Sequence, residues 1–299
     1  MKIGIVGNTH KPKVRPAIAD FVSFLEKKQI PVIYAQSLVD FIGLDGSADT
    51  VHISEMGAEC NVVVVFGGDG TFLATAKEIA NSNVPILGVN MGGLGFLAEI
   101  VIEELEETVD CLIRGDYNVI ERMVLEGKFH KDNKVESFYA LNDFVVDKGS
   151  NPRLLFIDVQ VDGVFLNTYR SDGVIISTPT GSTAYSLSAG GPLLVPTLKA
   201  IIVTPICPHS LTVRPIVLAD DSVLHLSISP DQAPAHVHFD GRGRSYLRPG
   251  DWIEIKKADY SVKWLSTGKR DFYEIMRTKL NWGVDLPAMN KNKNLVKDN

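Results

Sequence analysis

One stretch constrains this chain more than any other: Asn61–Ala76, NVVVVFGGDGTFLATA. Val62 to Phe66 is an unbroken apolar run, as a strand buried on both faces requires. Gly67, Gly68, Asp69, Gly70 and Thr71 follow at once, and a helical pattern starts at Phe72. The glycines let the backbone approach a ligand closely. Their N–H groups, with the start of the next helix, form a cradle for phosphate oxygens. Asp69 sits in the middle of that cradle, where a carboxylate repels phosphate unless it holds a metal ion or accepts a proton. The loop therefore points to phosphate chemistry with Mg2+ or with acid–base work by Asp69. The plain alternative is a glycine-rich turn in which Asp69 caps the helix.

The flanking sequence predicts the same kind of fold. Lys2–Val6 reads as a buried strand, Pro16–Lys28 as an amphipathic helix and Pro31–Tyr34 as the next strand. Val84–Val89 reads as a strand leading into a second glycine-rich loop, Asn90–Leu97. Strands alternating with helices in this way predict a parallel sheet with ligands beyond the strands' carboxyl ends. Both glycine-rich loops should then face one crevice, although tight turns alone would also use such glycines. Val101–Ile113 reads as a helix with its glutamates on a solvated face.

The texture changes after Asp116. Short strand-like runs succeed one another from Met123–Phe129 through Ser137–Val146, Phe156–Val161, Val164–Thr168, Gly173–Ser177, Ser222–Ile228, Ala235–Phe239 and Trp252–Lys256. Lys131-Asp132-Asn133 and Asp162-Gly163 carry hairpin signals. The expectation is an α/β N-terminal domain with a parallel sheet over 1–116, then an all-β, antiparallel sandwich-like domain over 117–270. A helix is expected at Asp271–Trp282 and a frayed tail at 288–299.

Composition narrows the class. A chain of 299 residues has room for two domains. Its net charge of −6 gives no basic footprint for nucleic acid. No apolar run approaches the roughly 18 residues of a membrane helix, and MKIGIVGN lacks the shape of a signal peptide. Cys60, Cys111 and Cys207 are not in metal-site spacing and are expected to be reduced, buried or half-buried thiols. A cytoplasmic protein is expected.

In the second half, Arg170–Pro192 (RSDGVIISTPTGSTAYSLSAGGP) is the least generic segment. Its hydroxyls and freed backbone groups suit a polyhydroxyl or nucleoside ligand, and Tyr185 is placed to stack on a base or to pack a core edge. Leu141-Asn142-Asp143 puts a polar pair inside an apolar run, which needs either backbone partners or a ligand. Asp240-Gly241-Arg242 reads most simply as a turn. His236 and His238 share one face of a strand, but two histidines without a third ligand make a weak metal site, and no metal ligands are assigned.

Taken together, Gly67–Thr71, Gly93-Leu94-Gly95-Phe96-Leu97, Leu141–Asp143 and Ser171–Pro192 resemble the NAD kinases, in their bacterial form. The glycine–aspartate loop alone is shared with lipid kinases, whereas the Ser171–Pro192 block is not. The resemblance implies transfer of the ATP γ-phosphoryl group to the 2′-hydroxyl of the adenosine ribose of NAD, with Mg2+ or another divalent cation. It implies Asp69 as the catalytic carboxylate, with Gly67, Gly68, Gly70, Thr71 and Phe72 around it. Asn142 and Asp143 would bind the adenosine portion. Arg153, Arg170, Asp172 and Asp240 match further contact positions, and Arg242 falls at a variable ligand contact, often Gln. Thr183, Ala184, Tyr185, Ser186, Leu187 and Ser188 would line adenine and ribose. The family is typically homotetrameric, and its last helix returns to the N-terminal domain. Departures are Gly93, where many members have Asn, and Asp143, where many have Glu. A lipid or sphingoid kinase and a non-catalytic NAD(P) sensor are the alternatives.

Overall fold

The computed structural model describes residues 1–92, 95–132 and 134–282. The expected tail at 288–299, Gly93, Leu94 and Asn133 lie outside the described residues. The N-terminal half runs β1 (Ile3–Gly7), α1 (Val14–Lys27), β2 (Val32–Ala35), α2 (Val39–Ile42), β3 (Thr50–Val51), α3 (Met56–Glu59), β4 (Val62–Gly67), α4 (Asp69–Glu78), β5 (Ile86–Asn90), β6 (Ile100–Val101) and α5 (Leu105–Arg114). The strand order is β3-β2-β1-β4-β5, all parallel. Every residue of β4 is buried, as its uninterrupted valines require. After β1 the chain winds outward through β2 and β3, then crosses back to the other side of β1 as β4. The order therefore reverses between β1 and β4, and the crevice beyond their carboxyl ends is where such sheets take ligands.

The second half runs β7 (Asn118–Lys131), β8 (Lys134–Ala140), β9 (Asp143–Asp147), β10 (Leu155–Val161), β11 (Val164–Ser171), β12 (Gly173–Ser177), α6 (Tyr185–Ser188), β13 (Ala200–Ile206), β14 (Ile216–Ala219), β15 (Leu224–Ile228), β16 (Ala235–Phe239), β17 (Gly243–Leu247), β18 (Trp252–Ser266) and α7 (Phe272–Leu280). One antiparallel sheet has the order β14-β13-β12-β9-β16-β17. The other, built on β18 with β7, β8, β10, β11 and β15, is continuous with the N-terminal sheet through the Trp264–Ile86 bridge. Phe129, Ile157, Leu226 and Ile253 from this sheet pack against Phe144, Val174, Val237 and Phe239 from the first. That shared core is the sandwich.

Several elements depart from the expected ones. Ser137–Val146 is not one strand: the chain leaves one sheet at Ala140 and enters the other at Asp143. The polar pair Asn142-Asp143 thus stands at a crossing between layers. The helix after the glycine–aspartate loop starts at Asp69, three residues early. The strands β13, β14 and β17 carry no signal that sequence reading picked out; β13 is a fully buried run that contains a proline. Asp162 and Gly163 both have positive φ, as the expected tight hairpin requires. Cys207 is exposed rather than half-buried, while Cys60 and Cys111 are half-buried and all three are free.

Glu104 belongs to no solvated face. Both of its carboxylate oxygens accept from Arg270, at 2.7 Å each, tying the segment before α7 to the start of α5. Among the described residues no helix is long and apolar enough to cross a membrane.

Candidate active site

The Gly67–Thr71 loop leaves β4 at the reversal point of the sheet. The Oγ1 of Thr71 packs so closely on Gly67 that no side chain fits there. Phe72 is fully buried, its ring 4.9 Å from that of Trp264, so it anchors the helix in the core. The Asp69 carboxylate receives three backbone donors from one loop: Phe96 N–H to Oδ2 at 3.2 Å, and Leu97 and Ala98 N–H to Oδ1 at 3.0 and 3.2 Å. The two glycine-rich loops do face one another: Asp69 bridges them, and Met91 N–H donates to the Gly67 carbonyl at 2.9 Å.

The parallel register brings in residues that sequence reading missed. Gly7 of β1 lies opposite Phe66 of β4, and Asn8 N–H donates to the Phe66 carbonyl at 2.9 Å. The Asn8 amide donates to Thr71 Oγ1 at 3.2 Å. Lys11, in the turn after β1, places Nζ 3.8 Å from where a Cβ on Gly68 would stand. Among the described residues Lys11 makes no ion pair. The only sequence signal was a lysine shortly after a strand, which means nothing until β1 is known to neighbour β4.

From the other side, the β16–β17 turn supplies Asp240, Gly241 and Arg242. Asp240 and Gly241 have φ of +50° and +63°, a tight hairpin turn. Arg242 puts Nη2 3.2 Å from a Cβ position on Gly70, so the second half reaches the first loop here. Asp240 turns inward. Its Oδ1 accepts from Asn142 N–H at 2.7 Å and Asp143 N–H at 3.3 Å, and its Oδ2 accepts from Leu141 N–H at 2.9 Å. The backbone N–H groups of the polar pair are thus satisfied by the Asp240 carboxylate.

Asp143 is 4% exposed. Burial, with the neighbouring Asp240 charge second, pushes its carboxyl up from 3.8 to about 7. Asp240 is also raised by burial, opposed by its three N–H donors. Two buried carboxyls this close favour holding a proton.

The Thr178–Ser188 segment is stitched to the same crossing. Thr178 Oγ1 donates to the Leu141 carbonyl at 2.6 Å, Thr178 N–H donates to the Asn142 carbonyl at 2.9 Å, and a side chain on Gly181 would collide with that carbonyl. Asn142, Asp143, Ala184, Tyr185 and Asp240 line a cavity of about 370 Å³. Tyr185 is 47% exposed, and burial with the Asp147 charge raises its phenol. Thr183 bonds the Thr180 carbonyl, and Ser186 is fully buried against Thr204 Oγ1 at 2.9 Å. Leu187 is half-buried and Ser188 exposed. Thr180 Oγ1 is buried without a hydrogen-bond partner among the described residues.

Not all expected residues meet here. Arg153 and Arg170 line a different cavity, of about 700 Å³, with Phe156 and Gln232. Asp172 is paired with Lys148 at 2.6 Å.

A half-open α/β sheet with a glycine–aspartate loop at its reversal point, facing a β-sandwich cavity, defines a phosphotransferase-like two-domain class. Comparison with known proteins specifies it. Residues 3–117 match the ATP-NAD kinase N-terminal domain, and residues 141–267 match the ATP-NAD kinase C-terminal domain. A protein named NAD kinase from Geotalea daltonii is 38% identical over 283 residues, covering 94% of this chain and 99% of its own length. A crystal structure of yeast NADH kinase complexed with NADH superposes with a TM-score of 0.84 at 28% identity, covering 99% of this chain and 90% of that one. An NAD kinase from Archaeoglobus fulgidus in complex with ATP shares the fold, with a TM-score of 0.73 at 22% identity over 92% of this chain and 99% of that one. The chain belongs to the NAD kinase family.

Proposed function

We propose that this chain transfers the γ-phosphoryl group of ATP to the 2′-hydroxyl of the adenosine ribose of NAD, producing NADP and ADP. One observation carries the reading: the glycine–aspartate loop and the cavity of Asn142, Asp143 and Tyr185 are joined across the two halves by Arg242 over Gly70. A phosphate cradle and a nucleoside-sized cavity then share one crevice.

Phosphoryl transfer needs positioning and charge neutralisation more than covalent help. The N–H groups of Gly68, Asp69 and Gly70 at the start of α4 would hold donor phosphate oxygens. Lys11 and Arg242 would flank them with positive charge. In transfer, the 2′-oxygen bonds the γ-phosphorus as the bond to the β–γ bridging oxygen breaks, and ADP leaves. The hydroxyl proton passes to Asp69. Phe96, Leu97 and Ala98 fix that carboxylate's orientation and occupy Oδ1 twice but Oδ2 once, which leaves an acceptor position on Oδ2. The ribose and adenine would lie along Asn142, Asp143 and Thr183–Ser188, with Tyr185 available for stacking. Arg153, Arg170 and Asp172 would contact the ligand only from outside this cavity.

The residues fit a divalent cation carried by the nucleotide. Mg2+ is usually held largely by substrate phosphates and water, so the nucleotide would bring it to the loop while the remaining acceptor position of Asp69 serves the 2′-hydroxyl. When bound, Mg2+ neutralises developing charge on the phosphates. A homotetramer and a cytoplasmic location belong to the same proposal, on the family resemblance.

The test is purified protein with Mg2+, ATP and NAD, with product read by an NADP-specific dehydrogenase. NADP is expected to form, to require the metal, and to fall by about 10²–10⁴-fold in Asp69→Asn. A folded protein that binds NAD and forms no NADP would make it a sensor.

A further inference from the structure

We propose that Asp147, His236 and His238 form a binding site for a divalent transition-metal ion of the Zn2+ type, separate from the Mg2+ of phosphoryl transfer. The sequence offered two histidines and no third ligand. The fold supplies it: β9 pairs with β16 in the register that sets Asp147 opposite His236. His236 and His238, two residues apart, project from the same face of β16. One ligand atom from each of the three residues lies within 4.8 Å of the others. His238 Nε2 is 3.2 Å from Asp147 Oδ2.

The surroundings hold these groups in place. Gly149 N–H donates to Asp147 Oδ1 at 2.6 Å, which orients the carboxylate and leaves Oδ2 toward His238. Ligands steered in this way by a neighbouring backbone group are a regular feature of metal sites. Gly149 itself has φ of +55°, and a side chain there would collide with the His236 ring. Glycine is thus needed at this position both for the turn and for the imidazole.

Arg244 is the apparent obstacle. Its Nη2 lies 2.9 Å from Nδ1 and 3.0 Å from Nε2 of His236. An atom equally close to both ring nitrogens sits over the ring face, because in the ring plane it would collide with Cε1. The guanidinium therefore leaves the in-plane lone pair open.

Two imidazoles and one carboxylate suit Zn2+, Co2+ or Ni2+ rather than Mg2+, which takes oxygen ligands. Three protein ligands leave further coordination positions open. Asp147 and His238 also line the 370 Å³ cavity, so the ion would form part of its wall.

The test is calorimetric titration of ZnCl2 into the full chain in excess Mg2+. A Cys207→Ser background removes the exposed thiol as a competing ligand. One Zn2+ per chain is expected. Affinity should fall at least about tenfold in His238→Gln and in Asp147→Asn, and should not fall in Arg244→Ser. A zinc-edge anomalous peak among the three side chains in soaked crystals would confirm the position. His238 is half-exposed, so His238→Gln keeps the fold even if Asp147→Asn does not; circular dichroism of the metal-free variants checks this. Absence of Zn2+ binding in excess Mg2+, or binding unchanged by His238→Gln, overturns the proposal.

Discussion

Gly95 lies against Asp69 so closely that a Cβ on Gly95 would collide with Oδ1 of the carboxylate. The same Cβ would come within 2.9 Å of the Asn90 side-chain amide. The second glycine-rich loop is thus shaped by the carboxylate of the first, and each fixes the other.

Gly95→Ala should therefore act on the reaction. The methyl group displaces the Asp69 carboxylate or breaks its three N–H contacts. A shift of about 1 Å in a reacting group costs on the order of 10²-fold in rate. Steady-state kinetics should show that loss in kcat with KM for NAD little changed, in a protein whose circular dichroism is that of the wild type.

Lys11→Ala should weaken ATP more than NAD. A hydrogen bond to a charged group contributes about 1.5–3 kcal/mol, so KM for ATP should rise about tenfold or more. The rise should shrink at high ionic strength in the wild-type comparison, because the turn after β1 is exposed. An unchanged KM for ATP would remove Lys11 from the phosphate site.

Asp143 should give the folded protein a pH dependence near neutrality. Its carboxyl sits at about 7 in the folded chain against an ordinary 3.8. The folded state therefore holds a proton that the unfolded chain has released. Stability from this group is fully present below pH 4 and is lost as pH rises through about 7. Melting temperature should fall by a few degrees between about pH 5 and 7 and level off above that, an order-of-magnitude expectation from that linkage. Asp143→Asn should flatten this step in a thermal-denaturation series. A wild-type curve already flat across that window would show that Asp143 is ionised throughout.

Phe72→Ala should destabilise the junction of the two halves. The ring is fully buried against Trp264, whose strand carries the bridge to Ile86. Removing a buried phenylalanine costs about 3–5 kcal/mol. Urea denaturation followed by tryptophan fluorescence should report that loss, and Trp264 emission should shift as its neighbour disappears.

Local features of the chain were legible because they depend on nearby residues. The run Val62–Phe66 can be satisfied only by a strand covered on both faces. Asp162-Gly163 dictates a tight turn wherever it occurs. The change from helical to strand texture after Asp116 is a change in side-chain period, and β7 begins two residues later. β13, buried throughout like β4, escaped because Thr204 and Pro205 interrupt its apolar run. Glu104 was assigned to solvent because its partner, Arg270, lies 166 residues away.

Local order along the chain dictates the kinds of element and the residues able to do chemistry: the glycine–aspartate loop, the Asn142-Asp143 pair and the hydroxyl-rich Thr178–Ser188 segment. Which of them meet depends on the packing of the whole fold. Strand order put Lys11 and Asn8 beside Gly67–Thr71, and the step between sheets at residues 141–142 placed the polar pair over Asp240. The pairing of β9 with β16 gave His236 and His238 a third ligand. Cross-strand neighbours are set by burial of a whole sheet face, which no local stretch encodes.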